Sequence, residues 1–391
     1  MIVQIHYDPP STKYGTGNFI YNLTKSFLTQ NLKVKNIFCN KYQPEKLIDS
    51  DYDMLGKRPN KRYPFITYCY ELCILEFYSL FFLLKNRNKI KLVITYGDCG
   101  LFVSILSNFL KIKKINYFFV LYKDLCFLRD KEKIKNYNDK QTLKEFLAYI
   151  LNIFEDKLKI IIESIIIRLG NQFLTASTFT KKRIVNKNKK VDLIYYFHTL
   201  KNLKKRDKEK NLKQNLLLIG NDIYLKGLVK FANIVEKDKN FYEKNCNINI
   251  LGVSNIAKYE SIIKSKKLEN IIKISGHKND IKDYYEKCDI FVNLSLIEGW
   301  NISLLDSYLN QKIVFTTKVG CVNEILLNNI NVITCDKKND KKISLKLKKL
   351  ILEKRVFDID SRYFEIIDIL HEKKLNHDYL RLIKNLWKKK F

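Results

Sequence analysis

Short apolar runs alternate with amphipathic stretches along most of this chain. The runs predict strands at Ile2–His6, Val34–Phe38, Leu92–Tyr96, Asn116–Val120, Gln172–Ala176 and Leu193–Tyr196. Between them apolar positions recur at helical spacing, for example over Asn18–Gln30 and Phe146–Leu169. A second series of strands is predicted at Asn215–Ile219, Asn247–Leu251, Ile272–Ser275, Ile290–Leu294 and Ile313–Thr316. Strands alternating with helices imply an α/β protein, with parallel sheets covered by helices on both faces. Two such series predict two Rossmann-like domains, 1–200 and 201–370, with a helical tail over 371–391. The charged segment KNLKKRDKEKNLKQN (201–215) is poor in apolar residues and reads as the break between them.

Punctuation differs between the halves. All five prolines lie at or before Pro64, so glycine alone marks the turns of the second half. Gly220, Gly252, Gly276, Gly299 and Gly320 each fall at or just after the end of a predicted strand. Ligands of open α/β sheets bind outside those ends, so these glycines outline a ligand-facing rim. One stretch, Phe65–Leu84, is long and apolar enough to raise a membrane span. It carries Glu71 and Glu76, each costly at a bilayer centre, and reads instead as a buried or interfacial helix.

Composition narrows the class. With 391 residues, 46% of them hydrophobic, the chain can build two ordinary cores. A net charge of +31 implies an anionic partner or surface. Basic segments at 181–190, 201–213, 336–355 and 387–390 suit an anionic membrane leaflet. No zinc-finger spacing, RNP-type aromatic motif or basic heptad helix accompanies that charge, so nucleic acid is not the expected partner. The nine cysteines are scattered without a Cys-x-x-Cys pair, as reduced core thiols are. The opening MIVQIHYDPP reads as a strand rather than a leader, and the expected location is cytoplasmic. The five histidines show no metal-ligand spacing, and neither an essential metal nor a cofactor is expected.

Two motifs carry the chemistry. In SLIEGWNISLLDSYLNQKIVFTTKVGCVNEI (295–325) a strand ends at Ser295, Glu298 sits in a glycine loop, and a helix begins near Asn301. Asp306 follows in the second turn of that helix. Carboxylates accept hydrogen bonds from hydroxyls, while a helix N-terminus attracts phosphate. A nucleotide-sugar has both groups. In LLLIGNDIYLKGLVKF (216–231), Lys226 and Gly227 follow a strand and a glycine, where a point charge can meet a leaving phosphate.

These segments resemble the retaining glycosyltransferases of family 4. That family's donor motif has two glutamates separated by seven residues; here EGWNISLLDS keeps Glu298 and has Asp306, one methylene shorter, for the second. VGCVNEI looks like the family's glycine-glycine run, with Cys321 for the second glycine and Glu324 kept. In the family's Gly-Arg…Lys-Gly pattern, Lys226 and Gly227 match and Asn221 stands for the arginine. The resemblance implies a GT-B fold, with two Rossmann-like sheets facing a cleft and a last helix crossing back to the first domain, which would bind the acceptor. It implies that Glu298 contacts the transferred sugar, Asp306 the ribose, and Lys226 the diphosphate. Gly227, Gly299, Trp300, Asn301 and Ile302 complete the donor set, with Trp300 read as packing more than chemistry. Gly15 matches the second glycine of the family's first loop, and Lys123 takes the place of a histidine as a candidate for acceptor or phosphate oxygens.

The reading is a metal-independent, retaining hexosyltransferase. It would move a sugar from a nucleotide donor to a cell-envelope glycan, such as lipopolysaccharide, or to a lipid-linked acceptor. Its site of action would be the cytoplasmic face of the inner membrane, held there peripherally. The competing reading is a binding or scaffold protein of the same fold with impaired catalysis, favoured by Asn221, Asp306 and Lys123.

Overall fold

The computed structural model describes residues 1–7, 10, 15–40, 51–57, 64–118, 120–135, 143–185, 189–195, 213–278, 280–371 and 381. The chain divides into two compact units. The first is built chiefly from Met1–Cys126 and Tyr137–Phe197, the second chiefly from His198–His371.

In chain order the first series runs β1 (Ile2–His6), α1 (Gly15–Leu28), β2 (Val34–Asn40), β3 (Asp51–Lys57), α2 (Pro64–Asn86), β4 (Leu92–Tyr96) and α3 (Leu101–Phe109). It continues with β5 (Lys114–Tyr117), α4 (Tyr122–Lys135), α5 (Leu143–Leu169), β6 (Gln172–Thr175), α6 (Thr178–Val185) and β7 (Lys190–Leu193). All seven strands pair in parallel in the order β3-β2-β1-β4-β5-β6-β7. β1 and β4 are buried along their whole length, as strands covered on both faces must be.

The second series runs β8 (Gln214–Ile219), α7 (Leu228–Lys237), α8 (Lys239–Asn245), β9 (Cys246–Leu251), α9 (Ile256–Ser265), β10 (Ile272–Ile274) and α10 (Lys282–Lys287). After it come β11 (Ile290–Asn293), α11 (Ile302–Leu309), β12 (Ile313–Thr317), a π turn (Val322–Leu326), β13 (Val332–Cys335), α12 (Asp340–Glu353) and α13 (Ser361–Leu370). The six strands are again parallel, in the order β10-β9-β8-β11-β12-β13. Both sheets therefore reverse direction once, between β1 and β4 and between β8 and β11. The side of each sheet near that reversal is where such folds bind ligands.

Two strands escape the apolar pattern, and both lie at sheet edges. β3 (DYDMLGK) carries two aspartates that accept from the Lys35 ammonium of β2, at 2.9 Å for Asp51 and 2.6 Å for Asp53. β13 (VITC) is four residues long and half-buried in its middle. Edge strands need only one paired side and tolerate such polarity. β5 begins and ends before the expected Asn116–Val120, and β7 lies three residues before the expected Leu193–Tyr196. The expected tail helix over 371–391, and the basic segments at 201–212 and 387–390, fall outside the described residues except for His371 and Arg381.

Candidate active site

The loops after β8 and β11 leave the second sheet side by side at its reversal, because those strands pair directly (Ile290 with Leu216). In the first loop, Asp222 Oδ1 accepts from the Tyr224 and Leu225 amides, both at 2.8 Å, and curls the chain into a turn. Gly220 has no Cβ for a steric reason. One built there would lie 2.7 Å from Lys226 Cβ and Cγ, so its absence lets the Lys226 stem fold back over the strand end. Gly227 closes the loop at φ +68°, where a Cβ would fall 2.3 Å from the Leu294 carbonyl oxygen. The Leu296 amide donates to Leu225 O at 2.8 Å and ties the two loops together.

This close approach brings Lys226 onto Glu298. The ammonium donates to Glu298 Oε1 at 2.6 Å, with the lysine side chain 24% and the glutamate 10% exposed. The same oxygen lies 2.7 Å from Ser295 Oγ and 3.3 Å from Asn301 Nδ2. Ser295 Oγ has one proton to share between Glu298 and Asn293 Oδ1, also at 2.7 Å. Behind them Asn293 Nδ2 donates to Thr316 Oγ1 at 2.9 Å, and Thr317 Oγ1 donates to Ser295 O at 2.6 Å. Polar side chains from β11, β12 and the glycine loop thus fix one carboxylate with one cation against it.

Asn301 caps α11 from the left-handed region (φ +65°), its Oδ1 accepting from the Leu304 amide at 3.1 Å. A cap satisfies one of the free amides of a first helical turn and leaves the rest for an anion. Asp306, in the next turn, is half-buried. Gly320 lets the chain after β12 press against the loop. Its φ is +54°, and a Cβ would lie 2.9 Å from Trp300 O. The Cys321 amide donates to that carbonyl at 2.9 Å, and the π turn that follows carries Glu324. Burial first, and then the charges of Glu298, Glu324 and Asp306, push the Cys321 thiol far above its ordinary range. The charges of all three carboxylates of the long motif therefore reach one buried cysteine.

Of the residues singled out from sequence, Lys226, Gly227, Glu298, Gly299, Asn301, Ile302 and Asp306 belong to this constellation. Trp300 is 2% exposed, a packing side chain whose carbonyl anchors Cys321. Asn221 is exposed, with its amide oxygen accepting from Asp222 N at 2.9 Å. Gly15 opens α1 and Lys123 lies exposed in the first turn of α4, both in the chain's other half. Beside Lys123, Asp124 pairs with Arg183 at 2.9 Å. Asn293, Thr316 and Thr317 carry no local signal in the sequence, because their contacts cross strands. For Cys321 and Glu324 the run VGCVNEI is the available signal.

Residues 200–362 match the family model described as glycosyl transferases group 1. That segment resembles a group 1 glycosyltransferase domain. The whole chain also superposes on GT-B enzymes. Sucrose-phosphate synthase from Thermosynechococcus elongatus aligns at TM-score 0.72 with 11% identity, over 99% of both chains. Anabaena HepE in complex with UDP-glucose aligns at 0.68 with 11% identity, over 98% of this chain and 99% of the other. The apo form of the lipopolysaccharide outer core galactosyltransferase WaaB aligns at 0.65 with 12% identity, over 98% and 99%. No curated protein matches by sequence. The fold is GT-B, as the resemblance implied. Within the matched segment, the Lys226–Glu298 pair stands at the sheet's reversal, with the α11 N-terminus beside it.

Proposed function

We propose that this glycosyltransferase transfers a hexose from a nucleoside diphosphate sugar with retention of configuration. The observation that carries the reading is the Lys226–Glu298 contact at the strand ends of β8 and β11, with Asp306 on the adjoining helix. Glu298, held on one oxygen by Ser295, Asn301 and Lys226, would receive sugar hydroxyls. The Lys226 ammonium and the first turn of α11 would take the diphosphate. Asp306 would accept from the ribose hydroxyls. As the glycosidic C–O bond breaks, negative charge grows on the leaving phosphate, where Lys226 stabilises it. That phosphate would accept the proton of the incoming hydroxyl on the same face, so configuration is kept and no protein nucleophile is needed. Lys226 and the helix terminus would supply the charge neutralisation that a metal gives elsewhere. HepE's complex with UDP-glucose supports a nucleotide-sugar donor, and WaaB supports a cell-envelope glycan acceptor. With +31 net charge, we place the enzyme peripherally on the cytoplasmic face of the inner membrane, where a lipid-linked acceptor would be met.

Thermal unfolding against a panel of nucleotide-sugars, with and without EDTA, tests the donor site. A donor at a hundred times its Kd should stabilise the wild type by about 2.7 kcal/mol. Glu298→Ala and Lys226→Ala should lose that shift, and EDTA should not. Transfer by the wild type to an acceptor, read by NMR of the new anomeric centre, then checks retention. Asn221 and Asp306, both departures from the family pattern, favour a second reading: a binding protein with impaired transfer. A donor shift without hydrolysis or transfer would select it.

A further inference from the structure

In α2 the polarity of a surface helix is reversed. Its carboxylates point inward: Glu71 is 5% and Glu76 3% exposed. Glu76 accepts from the backbone amides of Gly100, Leu101 and Phe102, so it caps α3 from outside. The outward stripe is apolar. Ile66, Tyr70, Phe77, Phe81 and Leu84 are 59, 48, 59, 75 and 46% exposed. With exposed Cys73 they recur at intervals of three and four, along one face of the helix. α3 extends that surface through Phe109, 80% exposed, and is joined to α2 by the Phe77–Phe102 ring contact at 5.4 Å.

We propose that this face of α2, extended by Phe109, seats on an anionic lipid leaflet. The helix is long and apolar enough to cross a bilayer. Spanning would require pulling Glu76 from the α3 amides and carrying two carboxylates into hydrocarbon. Lying flat needs no such rearrangement, because the stripe already faces out over about 27 Å of helix. Charge at the end of the stripe selects the partner. Residues 84–91 and 108–114 contain no acid, and Lys85, Arg87, Lys89 and Lys111 are exposed there. The aspartates on neighbouring β3 are paired with Lys35. A rim of bases around aromatic side chains matches an acidic headgroup layer. A second copy would instead bring together two chains of +31. The proposal gives a face to the membrane element of the reading above and rests on that element, not on the donor chemistry.

Cosedimentation of the full chain with vesicles tests it, using phosphatidylglycerol mixtures against pure phosphatidylcholine. The wild type should bind the phosphatidylglycerol vesicles, and Phe77→Asp/Phe81→Asp should weaken binding about ten-fold or more. Lys85→Gln/Arg87→Gln/Lys89→Gln should reduce the preference for the acidic lipid. Both variants should keep the wild-type melting temperature and donor response, because these side chains lie at the surface. Equal vesicle binding by the aspartate variant would overturn the proposal, as would no binding by the wild type. Self-association of the wild type, lost in the aspartate variant without vesicle binding, would assign the face to a second copy and also overturn it. A missing donor response with intact vesicle binding would count against the donor reading alone.

Discussion

The two sheets have the same reversal and treat the space beside it in opposite ways. In the first unit the strand ends at the reversal are filled by the protein itself. Tyr68 donates to Asp98 just after β4, and both are buried. The helices that follow receive caps from distant carboxylates: Glu76 of α2 on α3, and Glu163 of α5 on the Tyr122 amide of α4 at 2.6 Å. In the second unit, among the described residues, the helix after β8 starts at Gly227 without a side-chain cap, and α11 is capped by its own Asn301. A lysine and a carboxylate stand there, partly exposed. The same topology thus gives strand ends covered by their own side chains in one unit and a partly exposed lysine–carboxylate pair in the other. Side chains at the helix N-termini make the difference, not strand order.

Glycines after the strands give the sharpest contrast. Gly97 after β4 and Gly227 after β8 both adopt positive φ, +66° and +68°. A Cβ on Gly97 meets nothing within 4 Å, while one on Gly227 meets the Leu294 carbonyl at 2.3 Å. Gly97→Ala should therefore cost only the left-handed penalty, about 1–2 kcal/mol. Gly227→Ala must in addition push apart the loops that hold Lys226 and Glu298, and should cost about 3 kcal/mol or more. Urea unfolding of the two variants reads the difference. Equal losses would mean that the loop contact does not depend on Gly227.

A smaller effect is expected where the first unit is plugged. Glu76→Gln places an amide NH2 against backbone donors that now meet carboxylate oxygens. One buried mismatch of this kind costs about 1–3 kcal/mol. Urea denaturation checks it, and an unchanged midpoint would show that α3 needs no outside cap.

These contrasts were unequally visible in the sequence. Buried parallel strands are continuous apolar runs, so both series could be read, whereas the edge strands β3 and β13 carry polar or few residues and were missed. The donor motif was readable because Ser295, Glu298, Asn301 and Asp306 lie within one contiguous turn and helix. Its support was not, since Asn293, Thr316 and Thr317 meet only across β11 and β12. Glu71 and Glu76 argue against a membrane span, and both are buried in the fold. Which way α2 turns them is decided by α3, whose free amides need a carboxylate, and no local pattern records that demand.

The mildest test uses the second plug. Burial is the main force raising the Glu163 carboxyl, from an ordinary 4.5 to about 7, with Asp124 and Asp98 adding to it and the Tyr122 and Lys123 amides opposing it. Between those two values the folded chain holds a proton that the unfolded chain releases. Glu163's contribution to stability is therefore full below pH 4.5, falls as pH rises toward 7, and is constant above it. The slope from this one group cannot exceed about 1.4 kcal/mol per pH unit. Glu163→Gln keeps a carbonyl acceptor for the α4 amide and removes the titration. Melting temperatures from pH 5 to 8 should then decline less steeply in the variant than in the wild type. Parallel curves would mean that the carboxylate stays ionised at its helix terminus.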